Sequence, residues 1–345
     1  MEKILIKKSV PRWVKKLTGY DVYGPIKNGG DWHYQSVKRP EEMDLDYAQA
    51  VEAPKKIVFP QREVFFTFKQ TGRASWENTA NMPEEKPAIV FGVRPCEARA
   101  LTLTDRVFGG DFSDPYYWRR RNNTVLVGLS CNTPPSTNCF CLSVNGSPNS
   151  GVGMDILMTD LGETFLLAAE TEKGERLVRE NKELFAEVES SHKTKLKEIH
   201  SAAEAQIKRS LKEVEAISTR LKDMFESPIW EDESFGCIRC GICTYLCPTC
   251  HCFDINDEVT QALPMTGNRV RTWDNCQFPD FTMHSSGHNP RPDKASRLRQ
   301  RLLHKFLYFP ENEGAQQCTG CGRCITLCPV GIDIIEILNK VKNYG

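Results

Sequence analysis

Short apolar runs, set off by prolines, glycines and polar turns, punctuate the middle of the chain. "PAIVFGV" (Pro87 to Val93) ends at Arg94-Pro95-Cys96, and "EARALTLTDRVF" after it has helical character. "TVLVGLS" (Thr124 to Ser130) is a second run and ends at Cys131. "MDILMTDLG" and "TFLLAAET", within Met154 to Thr171, read as a hairpin around Gly162. "KKIVFPQREVFFTF" (Lys55 to Phe68) reads as extended chain broken at Pro60. Short strands alternating with helix predict an α/β-type domain over residues 1–172. The first 50 residues carry no informative pattern.

The pattern then changes. Leu196, Ile199, Ala203, Ile207, Leu211, Val214, Leu221 and Met224 recur at three- and four-residue steps within a Lys- and Glu-rich stretch. That spacing predicts an amphipathic helical segment over 173–230, one helix or a helical hairpin, packed on its own domain and ended by Pro228. A third region, 231–345, is dominated by cysteine motifs. The expected fold class is α+β: an N-terminal α/β-type domain with a helical insertion, then a helical, cysteine-rich domain.

The cysteines carry the chemistry. "CIRCGICTYLCP" supplies Cys237, Cys240, Cys243 and Cys247, and "CTGCGRCITLCP" supplies Cys318, Cys321, Cys324 and Cys328. Both follow C-x2-C-x2-C-x3-C-P, the bacterial ferredoxin run for a [4Fe–4S] cluster, in which the fourth cysteine serves the other cluster. The spacing assigns one cluster to Cys237, Cys240, Cys243 and Cys328. It assigns the second to Cys318, Cys321, Cys324 and Cys247. The fourth cysteine of each run is expected to begin a helix and point away. Gly241, Gly320 and Gly322 are expected to bring backbone amides toward the sulfides. Structural zinc usually takes two C-x-x-C pairs, a different rhythm.

Composition narrows the setting. The chain has 345 residues, 45 basic against 45 acidic side chains, and 15 cysteines. Zero net charge offers no general attraction for nucleic acid, and no helix-turn-helix or RNA-binding signature is present, which weighs against an oxygen-sensing regulator. No apolar run is long enough to span a bilayer, and "MEKILIKKSVPRWVKK" lacks a signal-peptide core, so a cytoplasmic location is expected. Clustered, odd-numbered cysteines in a reducing compartment point to metal ligation. No G-x-G-x-x-G or Walker motif gives the chain its own nucleotide site.

About 70 positions separate Cys247 from Cys318, far more than in a small dicluster ferredoxin. The module resembles the α-helical ferredoxin domains of respiratory iron–sulfur subunits and heterodisulfide reductase C-type subunits. "FGVRPCEARAL", "DPYYWRRRNNTVLVGLSC", "CFCLS", "MDILMTDLG", "CPTCHCFDI" and "SSGHNPRP" extend the likeness from about Lys55 onward. Together they resemble the family of anaerobic sulfite reductase A-type subunits and sulfhydrogenase beta subunits. The resemblance implies an iron–sulfur electron-transfer subunit. Its expected partners are a flavin- and NAD(P)H-binding subunit of ferredoxin-reductase type and a catalytic subunit of hydrogenase, sulfite reductase or heterodisulfide-reductase type. The alternative is a catalytic iron–sulfur reductase with an unrecognised site in the N-terminal domain. Against it, the cysteine patterns expected for sirohaem coupling, CC-G clusters and nickel are absent.

"SCNTPPSTNCFCLS" (Ser130 to Ser143) holds Cys131, Cys139 and Cys141. Cys96 and Cys131 each follow a short apolar run. If those runs are parallel neighbours, both thiols emerge at one carboxyl edge, and the loop can bring Cys139 and Cys141 back to them. Cys96, Cys131, Cys139 and Cys141 are a candidate third iron–sulfur cluster, cubane or [2Fe–2S]. Zinc and incidental buried thiols are the other readings. Cys250, Cys252 and Cys276 are read as packing beside a cluster together with His251, and as the runner-up third site. His284, His288 and His304 read as surface or packing. "WRRR" and "RPDKASRLRQRLLHK" read as solvated helix faces, with an acidic partner or a raised cluster potential as the alternative.

Overall fold

The computed structural model describes residues 1–84 and 86–343. Its strands, in chain order, are β1 (Glu2–Ile6), β2 (Asp21–Asn28), β3 (Asp31–Ser36), β4 (Arg62–Gln70), β5 (Trp76–Ala80), β6 (Ala88–Val93), β7 (Thr124–Leu129), β8 (Ile156–Asp160), β9 (Thr164–Ala169), β10 (Phe185–Ala186), β11 (Phe253–Ala262) and β12 (Met265–Trp273). Eight form one sheet in the order β10-β1-β9-β8-β7-β6-β2-β3. β2, β6, β7 and β8 run parallel in its middle, and antiparallel pairs complete both sides. The parallel strands are covered on both faces, which is why β6 and β7 read as unbroken apolar runs rather than alternating ones.

The expected elements around β6 and β7 are present. The helix Pro95–Phe108 follows β6, with Pro in its first turn and Glu97 closing a capping box. β8 and β9 form the hairpin, pairing from Asp160↔Phe165 to Ile156↔Ala169. The first 50 residues, silent in sequence, supply three strands of the large sheet. In the stretch from Lys55, a 3-10 turn at Pro54–Ile57 precedes β4.

Two expectations are corrected. Residues 173–230 are not one helix or a hairpin of two. They contain helices Glu172–Arg179, Ser190–Gln206 and Val214–Asp223, with β10 between the first two. Phe185 and Ala186 pair with β1 at the sheet edge, and Leu211 sits buried in extended chain, its N–H donating to Ser143 Oγ at 2.9 Å. Tertiary pairing overrides the helical periodicity there. Nor is the C-terminal region wholly helical. β11 and β12 form a long hairpin that pairs with β4 in a second sheet, ordered β11-β12-β4-β5. This excursion occupies much of the long gap between the two cysteine motifs. Arg271 of β12 is buried against Glu63 of β4 and against Asp114, and so ties the two halves of the chain together.

Two main cores result. One fills the large sheet and includes Trp13, Phe91, Leu126 and Met158. The other is helical and includes Ile217, Leu221, Leu302, Phe306 and Leu338. Phe140 and Val144, from the loop and turn after β7, belong to the helical core and join it to the sheet.

Candidate metal centres

The first cysteine run wraps the short helix Ile242–Tyr245, and the second wraps Arg323–Thr326. In each, the helix contains the third cysteine and ends before the fourth, rather than beginning at the fourth as expected, because Gly241 and Gly322 cap its start from the left-handed region. One pocket is lined by Cys237, Cys240 and Cys243 together with Cys328 from the other run. The crossed set is therefore brought to one place, with Cys324 also on the wall and Ile238, Leu298 and Val330 supplying apolar surface. Cys247 lies with the other run. Burial raises the thiol pKa of Cys318, Cys321 and Cys324, and Cys247 adds to the shift of each. Cys318 is pushed up to about 11.

Buried cations surround these thiols. Lys305 Nζ donates to Cys247 Sγ at 3.4 Å and to Thr249 Oγ1 at 2.9 Å. Arg301 Nη1 donates to Cys250 Sγ at 3.7 Å and to Thr244 Oγ1 at 3.4 Å, while its Nη2 is buried without a partner. Lys55 Nζ donates to the carbonyls of Cys247 and Cys250 at 2.9 and 2.8 Å and sits over the Trp273 ring. The hydrogen-bond partners of these three cations are thiols, hydroxyls and carbonyls. A buried positive charge needs a negative partner. An iron–sulfur cluster held by four thiolates carries net negative charge, so the donor set fits such a group.

This is where the reading of "RPDKASRLRQRLLHK" as a solvated face is corrected. Arg297, Arg301 and Lys305 are all buried. They repeat at four-residue steps on the same helical stretch as Leu298 and Leu302, a signal for a basic stripe inside a core. The "WRRR" arginines also turn inward: Arg120 pairs with Glu63, and Arg121 with Asp105 at 3.1 Å.

The N-terminal four cysteines meet as well. β6 and β7 are parallel neighbours, so Cys96 and Cys131 leave the sheet at the same edge. Cys139 and Cys141 return on the loop, and all four line one pocket. Burial pushes Cys139 and Cys141 up to about 12, so metal loading there must displace protons. Gly320 and Cys321 of the second ferredoxin run line the same cavity. Phe140 N–H donates to Gly320 O at 2.9 Å. At φ +69°, Gly320 presses its Cα against the loop, and an added Cβ would stand 2.5 Å from the Cys141 nitrogen. Close approach to the chain is the visible use of this glycine. Behind it, Arg323 is buried against Glu97 and donates to Ala50 O at 2.9 Å, while Tyr34 holds the other Glu97 oxygen at 2.8 Å.

The remaining candidates separate. Cys250 faces Cys247 and Arg301, and Cys252 faces Cys276. His251 packs against His304 at 5.8 Å, and burial pushes them down to about 4 and about 3. His304 is thus half-buried and packed, whereas His284 and His288 lie exposed beside each other. Among the described residues, no three His, Cys, Asp or Glu side chains are gathered tightly enough to clasp a single metal ion. No helix among them is long and apolar enough to cross a membrane.

Crossed cysteine runs walled by buried cations define an iron–sulfur protein of dicluster type. The family described as a 4Fe-4S dicluster domain matches residues 236–332. Over 321 residues the chain is 31% identical to Sulfhydrogenase 2 subunit beta of Pyrococcus furiosus, a match covering 93% of this chain and 92% of that protein. The chain belongs to the sulfhydrogenase beta-subunit family and is an iron–sulfur electron-transfer subunit.

Proposed function

We propose that the chain relays single electrons through three centres in a row. Cys237, Cys240, Cys243 and Cys328 would hold one [4Fe–4S] cluster, and Cys318, Cys321, Cys324 and Cys247 the second. Cys96, Cys131, Cys139 and Cys141 would hold a third iron–sulfur cluster. When bound, these groups supply one-electron carriers. The observation that carries the reading is the wall shared by Cys321 and the four N-terminal cysteines, which supports a third site beside the second. The protein's own part is to exclude water, fix the thiolates and balance their charge with Arg301, Lys305 and Arg323.

One end of the row lies near solvent, since Cys240 is exposed. We assign the ends of the wire to two partners: a flavin- and NAD(P)H-binding subunit of ferredoxin-reductase type, and a catalytic subunit of hydrogenase, sulfite reductase or heterodisulfide-reductase type. That the named relative is itself a subunit supports work within a complex. The test is iron and acid-labile sulfide on anaerobically purified protein. About twelve irons, or about ten if the third cluster is [2Fe–2S], are expected. Changing Cys139 and Cys141 to Ser should return the count to about eight. A parent count of about eight removes the third centre, and a preparation holding only zinc overturns the relay.

A further inference from the structure

Three cysteines lie outside the twelve assigned above. Cys250 packs on Cys247, which the second centre claims. Cys252 and Cys276 have each other. They sit at the base of the β11–β12 hairpin, just beyond its first ladder pair, Phe253↔Trp273. The Asp274 N–H donates to Cys252 O at 3.0 Å and carries the pairing one residue further. The chain then turns back, so that both the thiol and the backbone N–H of Cys276 reach Cys252 Sγ. Two thiols that face each other at the base of one hairpin are placed to form and break a bond.

Their surroundings suit that chemistry. Gln277 Nε2 donates to Cys276 Sγ at 3.4 Å, Thr244 Oγ1 lies at 3.5 Å, and Arg301 stands close by. Three polar groups around one sulfur favour its thiolate, the form that attacks or leaves in thiol–disulfide chemistry. Gln277 also lines the cavity of Cys237, Cys240 and Cys243, and Thr244 directly follows Cys243. The pair therefore lies one residue from the first centre. Both cysteines are half-buried, so protons can exchange with solvent.

We propose that Cys252 and Cys276 are a redox-active dithiol that couples the one-electron relay to a two-electron, two-proton step. In the reducing direction the Cys252–Cys276 S–S bond breaks, two electrons arrive from the relay, and two protons from solvent give two thiols. In the oxidising direction the bond forms, two protons leave, and two electrons pass into the oxidised relay. No other oxidant or reductant is needed. The proposal rests on reading Cys237, Cys240, Cys243 and Cys328 as a cluster site.

The test uses the full chain, purified anaerobically with its clusters. Samples poised oxidised or reduced with dithionite are alkylated under denaturing conditions and mapped by mass spectrometry. A peptide link between Cys252 and Cys276 is expected in the oxidised sample, and two alkylated thiols in the reduced one. In Cys252→Ser and Cys276→Ser, iron and sulfide should be unchanged, while coulometric reduction should take up about two fewer electrons per chain. Two free thiols at every potential in the parent would overturn the proposal, whether or not the variants fold. So would loss of about four irons in either variant, which would make these cysteines ligands. If the parent holds no clusters, the relay reading fails separately, and mapping with and without dithiothreitol still reports on the pair.

Discussion

Lys305 and Arg301 are charges inside a core, and their consequence is electrostatic. Two unit charges roughly 7 Å apart at an effective dielectric near 20 interact by about 2 kcal/mol, which is the scale expected for Lys305 acting on the proposed second centre. Lys305→Met should therefore lower that centre's potential by roughly 90 mV in an EPR-monitored redox titration. An unchanged potential would mean that the charge is balanced elsewhere. These residues also mark where sequence reading stopped. The ferredoxin runs are legible because four thiols must recur at fixed steps to meet one group. Nothing forces a basic residue beside a cluster to look different from one in water. Only the four-residue repeat of Arg297, Arg301 and Lys305 among leucines carries the hint.

Among the elements, β6, β7 and the helix after β6 were readable because strands buried on both faces must be apolar throughout. β11 was not, because nearly all of it is exposed and it presents no apolar face. β10 was hidden for a different reason: two residues pairing at an edge leave no period to detect. The loop that carries Cys139 and Cys141 was legible as a thiol cluster, but its seat on Gly320 was not. Gly320→Ala places a methyl in contact with the Cys141 backbone at a φ that alanine rarely adopts. The variant should lose the proposed third centre and keep the two ferredoxin-type ones, seen as a fall from the proposed count of about twelve irons toward about eight. A full count would show that the loop can yield.

At the scale of the molecule, residues 231–345 read as a separable ferredoxin domain, yet their contacts cross to the N-terminal half. β12 needs β4, Arg271 needs Glu63, and Arg323 needs Glu97. Breaking a buried ion pair typically costs about 3–5 kcal/mol, a large share of a domain's stability. A fragment comprising 231–345 should therefore fail to retain clusters or to show protected amides in hydrogen exchange. A soluble, iron-loaded fragment would establish that the module stands alone.

The pairing of β4 with β12 also sets a schedule. Thr266 meets Lys69 across roughly 200 residues of intervening chain. At about 5–20 residues per second, a ribosome needs on the order of 10–40 s to deliver the second strand after the first. For that interval β4 has a naked edge, and Glu63 has Arg120 but not yet Arg271, its fully buried second partner. The N-terminal half can begin to fold early, but its last strand is completed only from the far end of the message.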